Sequence, residues 1–448
     1  MERQNISIEA YKTIRFAFPI IIGELTQFSL GIIDAAMVGK IDYRQLAAAS
    51  LVNNILTVPF IMSVGITIGV SQCVAFADGE GDSRKVAHYM YNGGYLAAIF
   101  AGSWSLVIIL CRSLLHRLSQ EDQVAFLATP YLIPMACSLI PMILFLTLKQ
   151  FADSLGKTRI AMTLSIVAIP VNVLLNYIFI YGHWGAPRLE LSGAGLATLI
   201  TRMLTFLSLL IVIFSDPFFR PYIRSKEGQW KISPKAILNL LFIGIPSSCQ
   251  LAIELSAMAV AGVLVGSIGA IQLAAHQIAI NCSNAVLMVI LGFAQGTFIR
   301  ISYARGRREW KAVTEIAKSS LFITIVFGFV CGIAFVVLRN RLPMLFTQDK
   351  GVCLLSARLL LVAAVFQFSN AFQVMSAVKL RSIQDLKHPL FYSILSYWII
   401  GLPAGYYLTF PAGMGIYGIW FSFIGGMTFS GAALHYRFRK LIHRSILT

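Results

Sequence analysis

The stretch IRFAFPIIIGELTQFSLGIIDAAMV, residues 14–38, is the most informative part of this chain about its fold class. It is long enough to cross a bilayer, since a membrane-spanning α-helix needs about 20 mostly apolar residues. Its side chains Glu24, Gln27 and Asp34 are polar, and their spacing places them on one face of a helix. The stretch therefore predicts a membrane-crossing helix with a single polar face.

Apolar windows of the same kind recur along the whole chain of 448 residues. The predicted spans lie near residues 14–38, 46–76, 88–111, 125–150, 160–181, 192–214, 237–265, 270–299, 315–338, 353–379, 389–409 and 414–436. Hydrophobic residues make up 57% of the chain and charged residues only 12%, whereas soluble domains carry about 25% charged residues. The composition excludes a soluble protein and predicts an all-α membrane protein with twelve transmembrane helices.

The net charge of +17 arises from basic residues that lie between the spans. With the N-terminus inside, 26 Lys and Arg residues fall in cytoplasmic segments, 8 fall in outer segments, and Arg202 and Arg358 lie within spans. Because cytoplasmic loops carry such an excess, both termini are predicted to be cytoplasmic. Nucleic-acid binding is not expected, since the chain has no basic stripe and no nucleic-acid motif.

An internal repeat divides the chain at its longest interior hydrophilic segment, residues 216–235. A shift of 227 positions places Leu46-Ala47-Ala48 on Leu273-Ala274-Ala275, Asn54 on Asn281, Gly65 on Gly292 and Gly69 on Gly296. Six spans is an even number, so both halves enter the membrane in the same direction, as in parallel transporter repeats. We predict two six-helix lobes, residues 1–225 and 226–448, related by pseudo-twofold symmetry, with the substrate path between them.

Polar side chains inside the spans are the candidate functional residues. Besides the first-span face, they include Asn172 and Asn176 in the fifth span, Gln250 and Glu254 in the seventh, Asn281 in the eighth and Asn370 in the tenth. Hydrogen bonding between helices is an alternative role for each amide, and the sequence leaves it open.

The two acids, Asp34 and Glu254, point to a more specific chemistry. Arg202 is the one candidate ion-pair partner in the spans of the first half, and sequence does not establish that pairing. A buried carboxylate without a lasting partner takes up a proton or binds a cation. That chemistry can couple transport to an ion gradient.

Several motifs resemble those of the multidrug and toxic compound extrusion (MATE) transporters, and most closely the bacterial Na⁺-coupled multidrug branch. They are Gly31-Ile-Ile-Asp34-Ala-Ala-Met-Val-Gly39, Pro170-Val-Asn172-Val-Leu-Leu-Asn176, Gly193-Ala-Gly195-Leu-Ala-Thr198, Ala274-Ala-His276-Gln277 and Ser396-Tyr-Trp398. Together the matches cover nearly the whole chain. The resemblance implies two six-helix lobes arranged as a V and the export of amphipathic, cationic organic compounds by antiport against H⁺ or Na⁺.

The resemblance also implies roles for individual residues. Asp34 matches the coupling carboxylate of the first lobe, and Asn172, Asn176 and Thr198 match its polar neighbours. Glu254 matches an acid of the second lobe that helps to bind the cation.

The tenth span departs from the family pattern. Asn370 stands where the Na⁺-coupled branch has a carboxylate, and Phe366 stands where it has a tyrosine. The first change removes a negative charge, although Asn370 still offers a carbonyl oxygen, and the second removes a hydroxyl group. This chain is therefore expected to favour protons over sodium as the coupling ion.

The functional expectation is therefore a secondary antiporter that works by alternating access, with a small molecule as its substrate. The resemblance implies a monomer in the bacterial inner membrane. No cofactor is expected, and no metal beyond a Na⁺ ion at Asp34 or Glu254. The alternative is a flippase for lipid-linked precursors from the related superfamily, but that substrate would need several basic side chains inside the first lobe. An enzyme is not predicted, because neither an HExxH motif nor a CxxC pair occurs.

Overall fold

The structure is a computed structural model that describes residues 2–115, 122–223 and 230–447. Part of the hydrophilic segment 216–235 lies outside these ranges, as do three of the basic residues used for orientation, Arg117, Arg224 and Lys226. The described chain is almost entirely helical, and each of the twelve predicted spans overlaps one long helix.

The helices are α1 (Glu2–Gly39), α2 (Tyr43–Gly79), α3 (Ser83–Leu110), α4 (Asp122–Ser154), α5 (Thr158–Tyr181), α6 (Glu190–Ser215), α7 (Pro234–Gly266), α8 (Ala270–Gly306), α9 (Trp310–Leu338), α10 (Lys350–Ser382), α11 (Lys387–Ser393, Ile394–Gly401 and Leu402–Thr409) and α12 (Ile416–Leu447). Of the described helices, ten, α1 to α10, are long and apolar enough to cross a membrane by their length and composition. The middle segment of α11, Ile394–Gly401, is a π-helical turn. Such turns are rare and often lie at functional sites.

Several helices begin where an aspartate accepts hydrogen bonds from their first backbone amides. Asp82 accepts from the backbone N–H of Lys85 at 3.0 Å, and Asp349 accepts from that of Val352 at 2.8 Å. These carboxylates satisfy amide groups that have no partner within the helix. At the other end of a helix, Gly182 ends α5 in the left-handed conformation, with φ 75°, where a residue with a Cβ is strained.

The chain forms two compact units, and their boundaries fall inside two helices. One unit is Ile22–Ser248, and the other combines Met1–Ile21 with Cys249–Thr448. The first part of α1 therefore belongs with the second half of the chain, and the first part of α7 belongs with the first half. The division predicted at residues 225 and 226 stays a prediction.

The glycines that the repeat pairs explain why these helix ends associate as they do. A Cβ on Gly69 of α2 would lie 2.7 Å from the carbonyl oxygen of Leu240 in α7. A Cβ on its counterpart Gly296 of α8 would lie 3.0 Å from the Cβ of Ala17 in α1. Equivalent glycines thus let equivalent helices approach closely. The 227-position shift of the repeat also places Ile21 on Ser248, and these two residues mark the boundaries between the units.

Candidate functional site

The first cluster of predicted residues lies in the unit Ile22–Ser248, where α1, α5 and α6 meet around Asp34. The side-chain amide of Asn176 donates a hydrogen bond of 2.7 Å to Asp34 Oδ1 and another of 3.1 Å to Asn172 Oδ1. Both asparagines are buried. They lie one turn apart on α5, so their side chains project from the same face of that helix. The structure thus brings three predicted residues into one hydrogen-bonded chain.

Thr198 of α6 completes this cluster with a hydroxyl that faces two acceptors. Its Oγ1 lies 2.9 Å from the carbonyl oxygen of Ala194 and 3.4 Å from Asp34 Oδ2. A hydroxyl has one proton, so the short bond to the backbone is the stronger of the two. The main link from Asp34 to a neighbouring helix is therefore its bond from Asn176.

Arg202, the candidate ion-pair partner of Asp34, donates to another residue. Its Nη1 makes a hydrogen bond of 2.6 Å to the hydroxyl of Ser138 in α4. Its charge still acts on Asp34. Within the described residues Asp34 makes no ion pair, so its carboxylate is stabilised by neutral donors and by a charge at longer range.

Gln27, which shares the polar face of α1 with Asp34, stays outside this network. Its side chain is partly buried. Over the ranges that the structure describes, it makes no hydrogen bond. A role for Gln27 in binding stays a prediction.

The second cluster lies in the other compact unit and centres on one oxygen of Glu254. Glu254 Oε1 accepts three hydrogen bonds, from the amide of Gln250 at 2.9 Å, the amide of Gln373 at 3.1 Å and the hydroxyl of Ser393 at 3.0 Å. These donors come from α7, α10 and α11. One carboxylate oxygen therefore links three helices, while Oε2 has no such bond in the described part of the chain.

The π-helical turn of α11 begins immediately after Ser393. Within this turn Tyr397 is buried and interacts electrostatically with Glu254. Trp398 donates from Nε1 to the carbonyl oxygen of Ile253 at 3.2 Å. The Ser396-Tyr-Trp398 motif thus joins α11 to α7 through a hydrogen bond to Ile253, the residue before Glu254.

The remaining predicted residues of the second unit lie apart from this network. Asn370 is buried and makes no hydrogen bond among the described residues. Phe366, one turn earlier on α10, packs its ring against Trp420 with the ring centroids 5.2 Å apart. Asn281 is exposed. The structure therefore joins Gln250 and Glu254 but leaves these three outside their cluster.

Sequence reasoning missed Ser393 as a partner of Glu254 and Ser138 as the partner of Arg202. Both carry hydroxyl groups in apolar runs, where a single Ser usually bonds to its own helix. Nothing in their spacing distinguishes them from such residues. Sequence reasoning also missed that Lys149 is buried in α4 and pairs with Glu24.

The oxygen atoms around Asp34 are those that a monovalent cation prefers. They belong to one carboxylate, two amides and a hydroxyl, and Asn176 Oδ1 is buried without a hydrogen-bond donor. Among the described residues, no three His, Cys, Asp or Glu side chains are grouped as the ligands of a metal ion would be. The arrangement suits a proton or a small monovalent cation better than a transition metal.

The chain matches the MatE family model over residues 19–178 and 246–407. It is similar to the multidrug resistance protein NorM of Aliivibrio fischeri, with 29% identity over 430 residues, which covers 95% of this chain and 93% of the relative. It is also similar to the multidrug resistance protein NorM of Photobacterium profundum, with 28% identity over 443 residues, covering 97% of this chain and 96% of the relative.

The fold is similar to solved MATE structures. A crystal structure of MATE in the straight conformation superposes with a TM-score of 0.90 at 19% identity and covers 98% of this chain and 97% of its own. MATE in the bent conformation gives a TM-score of 0.89 at 19% identity, covering 99% and 98%. An outward-facing multidrug resistance MATE family transporter gives 0.89 at 18% identity, covering 98% and 96%.

Proposed function

This chain belongs to the MatE family, and on that premise we propose that it is a secondary antiporter that exports amphipathic, cationic organic compounds in exchange for protons. The observation that carries the proposal is Asp34, a carboxylate inside a predicted span that has neutral donors and no ion pair within the described chain. Such a group can exchange a proton during a transport cycle without breaking a salt bridge. The names of the relatives, multidrug resistance proteins, support the substrate class.

The hydrogen bonds of Asp34 give proton exchange a structural consequence. The ionised carboxylate accepts from Asn176, and such charge-assisted bonds are stronger than neutral ones. Protonation removes the charge and weakens the link between α1 and α5. Because this link is weaker when Asp34 is protonated, proton binding changes which arrangement of α1 is preferred.

We propose the proton rather than Na⁺ because of the second unit. There Glu254 Oε1 already accepts three hydrogen bonds, and Asn370 offers a neutral amide in place of a second carboxylate. Binding of Na⁺ depends on oxygen ligands and local negative charge, and Glu254 is the one acid of the cluster described above. Glu254 then acts mainly as a structural centre that links α7, α10 and α11.

The flippase alternative has less support from the same geometry. A phosphate-bearing lipid needs a cluster of accessible basic side chains. In the described part of the first unit, Arg202 donates to Ser138 and the buried Lys149 pairs with Glu24. Both cations are already engaged.

The remaining properties belong to the same proposal. We place this multi-span membrane protein in the bacterial inner membrane, with both termini in the cytoplasm. It acts there as a monomer and without an enzymatic cofactor.

The test is transport of the cationic dye ethidium by purified protein in liposomes, under an imposed pH gradient and, separately, under a Na⁺ gradient at fixed pH. We expect the pH gradient alone to drive accumulation and Asp34→Asn to abolish it. Glu309→Gln is the matched control, because Glu309 is an exposed acid. Dye movement driven by Na⁺ at fixed pH would refute proton coupling, and unchanged transport by Asp34→Asn would refute the role of Asp34.

A further inference from the structure

A fully buried acid lies at the C-terminal end of α4, outside both clusters described above. Asp153 is only 1% exposed. Neither of its carboxylate oxygens accepts a hydrogen bond, and it makes no ion pair with any described residue. An unpartnered carboxylate this deeply buried is uncommon, because buried polar groups are nearly always hydrogen-bonded.

One turn earlier on α4 lies Lys149, which is also buried, with its side chain 3% exposed. Its Nζ is 2.7 Å from Oε1 of Glu24 on α1, a side chain that is 29% exposed. The charges of Lys149 and Glu24 both act on Asp153. Two acids therefore share one ammonium group, and the ammonium group is paired with Glu24.

Charge balance decides the state of such a cluster. With both acids ionised the cluster carries a net negative charge, and the uncompensated charge sits on the more deeply buried acid. Removing an ion from water without a partner costs several kcal/mol, and a buried acid avoids this cost by holding a proton. A single proton on Asp153 makes the cluster neutral.

Other helices that pack against α4 bring neutral or already engaged groups to this end. From α2, Ser71 shares a hydrogen bond of 3.0 Å with Ser154. Asp78 of the same helix accepts from Tyr222 at 3.1 Å. Lys157, in the turn after α4, lies 4.2 Å above the ring of Phe218. Arg202 of α6 is bound to Ser138, about four turns away along α4.

We propose that Glu24, Lys149 and Asp153 form a second proton-binding site, which holds one exchangeable proton in the half of the molecule that contains Asp34. A hydronium ion delivers the proton at the partly exposed Glu24, and the proton resides on Asp153, so that one O–H bond of hydronium breaks, one O–H bond on the carboxylate forms and water is released. Glu24 and Asp34 lie ten residues apart on one face of α1, a separation of about 15 Å along the helix axis. The polar face of α1 thus links the two sites.

Infrared spectroscopy tests this proposal directly, since a protonated carboxyl group has a C=O stretching band that a carboxylate lacks. The full-length protein is measured at about pH 8, where acids with ordinary pKa values near 4 are ionised. All proteins carry Asp34→Asn, so that Asp34 contributes no band. We expect a band in this background that Asp153→Asn removes.

The matched control is Asp385→Asn. Asp385 is a partly buried acid of the other unit, but it is paired with His388 at 2.6 Å and with Arg437 at 2.5 Å. Its replacement is expected to leave the band unchanged. A band that survives Asp153→Asn, or one that Asp385→Asn removes, would overturn the assignment.

Charge counting supplies a second test that does not require Asp153 to be changed. In Glu24→Gln the ammonium group of Lys149 becomes available to Asp153, which should ionise, so the band should disappear. In Lys149→Met no cation remains to favour ionisation, so the band should persist. The reverse pattern would overturn the proposal. Because no transport is measured, failure of the proposed antiport would leave this result unaffected.

Discussion

The side-chain amide of Asn176 donates a hydrogen bond of 2.7 Å to the carboxylate of Asp34, joining helices α5 and α1 across 142 positions of sequence. Within the described residues this is the shortest hydrogen bond that Asp34 makes. If the charge of Asp34 controls the association of α1 with α5, the strength of this bond should depend on that charge.

A double-mutant cycle measures that dependence. We expect Asn176→Ala to lower the unfolding free energy by about 1 kcal/mol, because a hydrogen bond in a membrane protein contributes roughly 0.6 kcal/mol and one to an ion contributes more. In an Asp34→Asn background the same change should have less than half this effect. The measurement is unfolding of the solubilised protein in denaturant.

Tyr177→Phe, at the neighbouring exposed position of α5, serves as the control. Equal effects in both backgrounds would show that the charge of Asp34 does not strengthen the bond.

The three donors to Glu254 Oε1 predict a different ranking of substitutions at that residue. Glu254→Ala removes all three bonds and should destabilise the protein by about 2 kcal/mol, at roughly 0.6 kcal/mol for each bond. Glu254→Gln keeps a carbonyl oxygen for the same donors and should lose less than half of that. Thermal unfolding compares the two variants.

Dye transport then separates structure from coupling at Glu254. We expect Glu254→Gln to retain more ethidium transport than Asp34→Asn, because Asp34 is the main coupling acid in the proposed mechanism. Equal loss of transport in both variants would contradict unequal roles for the two acids.

The residue types of the tenth span predict how the coupling ion could be changed. Asn370→Asp adds a carboxylate to a buried position of α10 in the unit that contains Glu254. It should make dye transport responsive to a Na⁺ gradient at fixed pH, because Na⁺ binding depends on oxygen ligands and negative charge. Asn370→Ser, which adds an oxygen but no charge, is the control. The outcome that would contradict this prediction is sodium dependence in the serine variant alone, or in neither variant.

Much of this architecture follows from the sequence because membrane helices leave a strong local signal. Apolar windows located all twelve helices, and the repeat predicted that Gly69 and Gly296 occupy equivalent positions. The spacing of Asn172 and Asn176 also placed them on one face. These features depend on residues close together in sequence, and the membrane restricts what such residues can form.

Partnerships between distant helices left no such signal. The pairing of Lys149 with Glu24 depends on how α4 lies against α1, which no pattern within either helix records. Arg202 looked like the natural partner of Asp34, but its side chain reaches Ser138. Of the three donors to Glu254, Gln250 lies one turn away on the same helix, but Gln373 and Ser393 come from α10 and α11, so spacing within one helix could not reveal those two.

Close approach of backbones gives the most direct test of the packing. A Cβ added to Gly69 would lie 2.7 Å from the carbonyl oxygen of Leu240, which is closer than carbon and oxygen can approach. The obstacle is backbone, so α2 or α7 must shift as a whole, and overpacking of this kind costs about 1–3 kcal/mol. We therefore expect Gly69→Ala to lower the unfolding free energy by that amount.

Gly94→Ala is the matched control, since Gly94 is a helical glycine of α3 whose added Cβ would meet no atom within 4 Å. It should be neutral or stabilise the protein by up to about 1 kcal/mol, because alanine favours helices more than glycine does. If Gly69→Ala were as stable as Gly94→Ala, the close contact of α2 with α7 would be wrong, and with it the assignment of the first part of α7 to the unit Ile22–Ser248.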